Sequence, residues 1–192
     1  MINPDDLLAE YLAGHTTRAH RKRKLREDLR RRLEVNQGDP LGVLKEVHGF
    51  LMERPELDIV AVYSALPGEV DLSSLVAGLD RIWVFPKVVG EELVFHEVRN
   101  IRKDLVVGKF NVLEPKKWLP VIDVGEIDLF LCPGLGFDHT GARIGRGRGF
   151  YDRVLARARE DAVKVGVCFG FQFVEKVDME EHDIRMNQVI AG

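Results

Sequence analysis

Leu25, Leu29 and Leu33 recur every four residues between Thr17 and Glu34, and most positions between them are charged. That spacing predicts one amphipathic helix with a narrow apolar stripe. Gly38-Asp39-Pro40 stops it, and Leu44, Val47 and Leu51 mark one side of a second helix over 41–52. After that the period changes. Residues 58–63, 81–85, 127–132 and 163–169 are short apolar runs, the pattern of strands buried on both faces. Pro86 is expected to end the second run, and 88–98, with Gly90-Glu91 at its centre, reads as a hairpin. Helices are predicted at 70–79, with Asp71 or Ser73 near the start, and at 150–160. Strands alternating with helices predict an α/β fold in three layers: a mainly parallel, Rossmann-like sheet with helices on both faces. Such sheets bind ligands beyond the carboxyl ends of their strands, here the segments after Tyr63, Phe85 and Cys132.

The 192 residues suit a single domain, which we place at 18–192. Residues 1–17 read as an extension: Asp5 and Asp6 precede Leu7, Leu8 and Leu12, enough for one short helix, and Gly14-His15-Thr16-Thr17 breaks it. No basic segment precedes an apolar stretch at the start, so no signal peptide is expected, and no apolar run is long enough to cross a bilayer. Cys132 and Cys168 each lie in an apolar run without Cys-x-x-Cys spacing, as expected of small buried side chains in a reducing cytoplasm. The net charge of −3 excludes a chain built as a whole to coat nucleic acid or an anionic membrane, so an anion site must come from local clustering.

Two clusters qualify. Arg18, Arg21, Lys22, Arg23, Lys24, Arg26, Arg30, Arg31 and Arg32 lie on the first helix, where a solvated basic face is the plain alternative. The second cluster runs from Gly141 to Arg153, between a core strand and a helix, and holds Gly145, Gly147 and Gly149 alternating with Arg146 and Arg148. Alternating glycines let backbone N–H groups approach a ligand closely, and arginine forks suit phosphate oxygens. A polyphosphate is therefore the favoured ligand, with a solvated loop or an RNA-binding segment as alternatives. The spacing is neither that of a dinucleotide fingerprint nor of a Walker loop.

The longer string resembles the signature of 5-formyltetrahydrofolate cyclo-ligases, also called methenyltetrahydrofolate synthetases. Pro133, Gly134, Phe137 and Asp138 match its first half; Gly141, Arg143, Gly145, Gly147, Gly149, Tyr151 and Asp152 match its second. Lys22 and Arg26, the segment from Tyr63 to Asp71, Phe85-Pro86, Glu114-Pro115 and His182-Asp183 follow the family's order, so the likeness covers roughly residues 20 to 190. Leu72 stands where the family usually has Thr, Phe150 replaces the commoner Tyr, and Asn187 replaces an acidic residue.

The resemblance implies an ATP-dependent ligase that needs Mg²⁺ and closes 5-formyltetrahydrofolate to 5,10-methenyltetrahydrofolate by way of phosphate on the formyl oxygen. It implies that Lys22 and Arg26, four apart on one helix face, meet the ATP phosphates. Arg143, Ile144, Gly145, Arg146, Gly147, Arg148, Gly149, Phe150 and Tyr151 would wrap the nucleotide, with Arg146 and Arg148 catalytic beside the transferring phosphoryl group. Asp152 and Asp183 would hold the metal, and Glu69, Phe110 and Tyr63 the folate. A turn role is expected of Asp138 and a structural one of His182. The partners implied are small molecules, a folate and ATP, acting on a monomer with no membrane and no nucleic acid. The rival reading is a non-catalytic nucleotide- or RNA-binding module on the same fold, favoured by the basic helix.

Overall fold

The computed structural model describes residues 17–192; the short helix expected between residues 5 and 12 lies outside them. In chain order the elements are α1 (Arg18–Val35), α2 (Pro40–Met52), β1 (Ile59–Ala61), α3 (Ser73–Gly78), β2 (Ile82–Val89), β3 (Glu92–Glu97), α4 (Ile101–Asp104), β4 (Leu105–Val107), β5 (Leu113–Pro115), β6 (Val121–Ile122), β7 (Leu129–Cys132), β8 (Gly136–Phe137), β9 (Arg143–Ile144), α5 (Phe150–Leu155), β10 (Val163–Cys168) and β11 (Gln188–Ala191). The main sheet has the order β11-β10-β7-β1-β2-β3-β6. Its first five strands are parallel, and β3 and β6 add an antiparallel edge.

The helix starts follow local chemistry. Thr17 accepts a hydrogen bond from the His20 N–H at the head of α1. Asp39 caps α2, with Pro40 in the first turn, where a missing N–H costs nothing. Alternation along the strands divides the core. Val60, Val62, Leu129, Leu131, Val165 and Val167 point to one face, where Val43, Val47, Phe50 and Leu51 of α2 and Leu75 of α3 cover them. Ala61, Val84, Phe130, Cys132 and Cys168 point to the other, against Val154 and Leu155 of α5. The chain moves from β1 to β2 in one direction and from β1 to β7 and β10 in the other. Crossovers of one hand then place α3 and α5 on opposite faces, which gives the three layers.

Helix α1 belongs to neither face. Its stripe residue Leu29 is fully buried in a third cluster with Leu135, Ala142, Ile144 and Val177, and Leu25 and Leu33 pack at its edge. That cluster rests on the β8–β9 hairpin beyond the carboxyl end of β7, so α1 is held at the end of the sheet where ligands bind.

The expectations at two boundaries need correction. Pro86 does not end β2, which runs on to Val89 and pairs Pro86 with Phe95 of β3. The Val62 N–H donates to the Val84 carbonyl, so even-numbered residues of β2 face β1. Strand β1 has ended by then, and the proline's missing N–H leaves no ladder bond unmade. Helix α5 ends at Leu155 instead of residue 160. Arg157 and Ala158 close tight i→i−3 turns, and the Arg159 guanidinium is drawn to Asp128 at 2.6 Å. The short pairs β4–β5 and β8–β9, and the strands β6 and β11, have no counterpart in the sequence reading.

Candidate active site

A cleft of about 470 Å³ opens at the carboxyl ends of β1, β2 and β7. Tyr63 and Glu69 enter it after β1, Pro86 and Val88 from the end of β2, and Pro133 and Gly134 after β7. The 143–152 loop and α1 form one wall, and Lys109, Phe110 and Val112, from the turn between β4 and β5, form another.

On the α1 side, the Lys22 ammonium is nearly buried, 2.7 Å from Asp183 Oδ2 and 3.1 Å from Glu180 Oε2. One turn later Arg26 donates from Nε to the Gly145 carbonyl at 3.0 Å, which ties helix to loop. Burial alone would push the Asp183 carboxyl up, but hydrogen bonds from Lys22 and the Glu180 N–H, with the Lys22 charge, hold it below the usual carboxylate range.

The loop holds three arginines in three different settings. Arg143 is buried; it donates to Asp152 Oδ1 at 2.9 Å and to the Pro133 carbonyl at 3.3 Å, and lies 5.3 Å from the Tyr151 ring centre. Arg146 is exposed and reaches across the cleft, with Nε 3.0 Å from Glu69 Oε1 and Nη2 3.3 Å from the Pro67 carbonyl. Arg148 is also exposed and sits 4.3 Å over the Phe110 ring. Gly147 and Gly149 have φ of 98° and 66°, the left-handed region that an L side chain disfavours, and these two turns aim the arginines inward. Phe110 itself stands at φ 58°, half exposed. A bulky residue in that conformation persists only where its surroundings hold it.

Across the cleft, Glu69 Oε2 accepts from the Leu66 N–H at 3.0 Å, and its side chain is only 6% exposed. The Tyr63 hydroxyl is buried with no hydrogen-bond partner among the described residues. Burial, then the nearby Glu69 charge, pushes that phenol well above its ordinary value, so it stays a neutral donor.

All but one of the residues expected in a site line this cleft: Lys22, Arg26, Tyr63, Glu69, Phe110, Arg143, Gly145, Arg146, Gly147, Arg148, Gly149, Phe150, Tyr151, Asp152 and Asp183. Ile144 does not; its side chain is fully buried beneath α1, where only its backbone can face the loop. Asp138 lies outside the cleft, and its carboxylate accepts from the N–H groups of Thr140, Ala142 and Val177 and from the Thr140 hydroxyl. Sequence reasoning missed Glu180, Lys87 and Glu114. Glu180 was signalled by Glu180-Glu181-His182-Asp183, and the ligand atoms of Glu180, His182 and Asp183 lie within 4.8 Å of one another. Lys87 carried no local signal, and Glu114 stood out only as part of the matched Glu114-Pro115 pair, since only the packing of β5 against β2 makes the two neighbours.

Asp138 supplies a pH prediction. Burial would raise its carboxyl, but the four hydrogen bonds outweigh that and lower it. Its contribution to stability is complete above the unfolded carboxylate value of about 4 and is lost as pH falls through the lower folded value. Asp138→Asn is expected to be less stable at neutral pH and to lose less stability on acidification. Urea unfolding across the acid range checks this, and parallel curves for the two proteins would refute it.

A three-layer α/β protein with one cleft at its strand ends, fixed cations on one wall and a buried phenol and carboxylate on the other, belongs to the class that binds small, partly anionic molecules. The comparisons narrow the class. Residues 18–192 match the model of the 5-formyltetrahydrofolate cyclo-ligase family, and the chain belongs to that family. The 5-formyltetrahydrofolate cyclo-ligase of Escherichia coli K12 is 31% identical over 141 residues, 69% of this chain and 76% of that one. The protein of that name from Mycolicibacterium smegmatis is 40% identical over 88 residues, a match that spans only 45% of either chain. The NMR structure of Aquifex aeolicus 5,10-methenyltetrahydrofolate synthetase superposes with a TM-score of 0.75 at 31% identity, over 88% of this chain and 89% of that one. These relatives carry the names of ligases.

Proposed function

We propose that residues 18–192 form one catalytic domain that uses ATP to cyclise 5-formyltetrahydrofolate to 5,10-methenyltetrahydrofolate, releasing ADP and phosphate. The observation that carries this reading is the contact between Arg146 of the glycine loop and Glu69, which puts a phosphate-type group and a pterin-type group in one cleft. A formyl oxygen on nitrogen is a weak nucleophile and a poor leaving group, so phosphate must first be placed on it. The oxygen takes the γ-phosphoryl group as its bond to the β-phosphate breaks. N10 then attacks the formyl carbon, the carbon–oxygen bond breaks with loss of phosphate, and N10 releases its proton. Phosphoryl transfer and the loss of phosphate both move negative charge on phosphoryl oxygens, so positioned cations are the main catalytic demand.

The residues divide accordingly. Lys22, Arg26 and the backbone of 144–149 hold the triphosphate, with Arg143 and Tyr151 behind it. Arg146 and Arg148 neutralise the transferring group. Glu69 accepts the amino and ring N–H groups of the pterin, Tyr63 donates from its hydroxyl, and Phe110 lies against the ring system. Asp152 Oδ2 and Asp183 Oδ1 accept no hydrogen bond among the described residues, while the other oxygen of each pairs with Arg143 and Lys22. Glu180 lies beside Asp183 and Asp152 lines the same cleft, a carboxylate set that would hold Mg²⁺, which takes few carboxylates and would screen the phosphate charge.

We further propose that the protein works as a cytoplasmic monomer. Its thiols Cys132 and Cys168 are free and buried, and no described helix is long and apolar enough to cross a membrane.

The purified protein with magnesium-ATP and 5-formyltetrahydrofolate is expected to raise near-ultraviolet absorbance as the methenyl product forms. A flat trace at high enzyme concentration overturns the proposal. Salt-sensitive RNA binding without turnover would favour the rival module.

A further inference from the structure

The β4–β5 hairpin is separate from the main sheet. Leu105 at its base is 7% exposed and packs in the core, but beyond it Val106, Val107, Phe110 and Leu113 are 41–68% exposed. Hydrophobic burial therefore fixes the base of the hairpin but not its tip. One polar group in it is buried, Glu114 at 4% exposure. Its Oε2 lies 3.3 Å from the Lys87 ammonium, which also donates to the Pro115 carbonyl at 3.0 Å, and its Oε1 accepts from the Val88 N–H at 3.4 Å. Both carboxylate oxygens are thus engaged by the last residues of β2. The hairpin is closed down over the same group, since a Cβ on Gly108 would fall 2.4 Å from Glu114 Oε2. Between Gly108 and Glu114 lies the turn that presents Phe110, with Phe110 and Asn111 both at φ 58°.

We propose that Glu114, clamped by Lys87 and the Val88 N–H, is a positioning residue for the folate. It pins the hairpin to β2 so that Phe110 stands at the cleft mouth opposite Arg148. The inference rests on the proposed reaction only for the identity of the ligand. A buried ion pair is weak evidence of stability and is better placed to fix geometry. Both oxygens are turned to the Lys87 ammonium and the Val88 N–H, so Glu114 acts through the hairpin it carries.

The test uses the full chain and steady-state kinetics with each substrate varied. Glu114→Gln is expected to raise KM for 5-formyltetrahydrofolate about tenfold, the order of one lost aromatic contact, and to leave KM for ATP within about twofold. Gly108→Ala and Lys87→Met, which disturb the clamp from its other sides, are expected to give the same split. In a Phe110→Ala background, Glu114→Gln is expected to add nothing, because both changes remove one contact. Backbone amides 105–113 should exchange faster in Glu114→Gln than in the wild type, a readout that needs no activity. The proposal is overturned by an unchanged folate KM, by an equal rise in both KM values, by additivity with Phe110→Ala, or by unchanged exchange. A wild-type protein that does not turn over would instead sink the reaction, and the exchange comparison would still decide the clamp.

Discussion

Arg148→Ala is expected to lower kcat by about 10²–10³, the usual loss when one preorganised donor to a developing oxyanion is removed. The reason lies in how the three loop arginines are used. Arg143 is committed to Asp152 and to the Pro133 carbonyl, and Arg146 to Glu69. Arg148 alone of the three makes no hydrogen bond among the described residues; its guanidinium carbon sits 4.3 Å over the Phe110 ring. Its N–H groups can meet phosphoryl oxygens without breaking an existing ion pair. Lysine at this position is expected to recover little, since an ammonium neither stacks on the ring nor presents a planar fork. Single-turnover measurements of the methenyl product separate the chemical step from binding. A kcat equal to that of the wild type would remove Arg148 from the catalytic group.

Lys22→Met is expected to weaken both folding and ATP binding. The ammonium sits between Asp183, whose side chain is 9% exposed, and Glu180. Removing one partner of a buried ion pair costs about 3–5 kcal/mol, because the opposite charge stays behind without compensation. For a chain of this length that corresponds to a fall in Tm of roughly 10 °C. Asp183 would also lose the main group that holds its carboxyl low, and burial would then push it upward. Because Lys22 also faces the cleft, KM for ATP is expected to rise alongside. Calorimetry decides the first effect and initial-rate kinetics the second. An unchanged Tm would mean that the pair is solvated in the free protein.

These two residues were not equally legible. The glycine and arginine spacing after residue 141 is a local signal, because close backbone approach and fixed charge are both written in consecutive residues. It pointed to the loop directly. Lys22 was one of nine basic residues on a helix, and nothing in the helix itself separates it from Lys24. The difference is burial: Lys22 lies against the 178–183 segment, whereas Lys24 faces solvent.

The chain's own pattern determined the class of fold, since runs buried on both faces and alternating with helices admit few arrangements other than a covered parallel sheet. It also determined the loop chemistry and, through the order of its motifs, the family likeness. Tertiary structure decided what contacts what. It placed α1 off the sheet on the β8–β9 hairpin and buried Ile144 beneath it. It drew Arg146 to Glu69, 77 residues away in sequence, and built the Lys87–Glu114 clamp from two strands that look unremarkable alone. The physical reason is that periodicity and turn residues act over a few positions, while an ion pair or a buried carboxylate depends on which distant segments the packed core brings within about 3 Å.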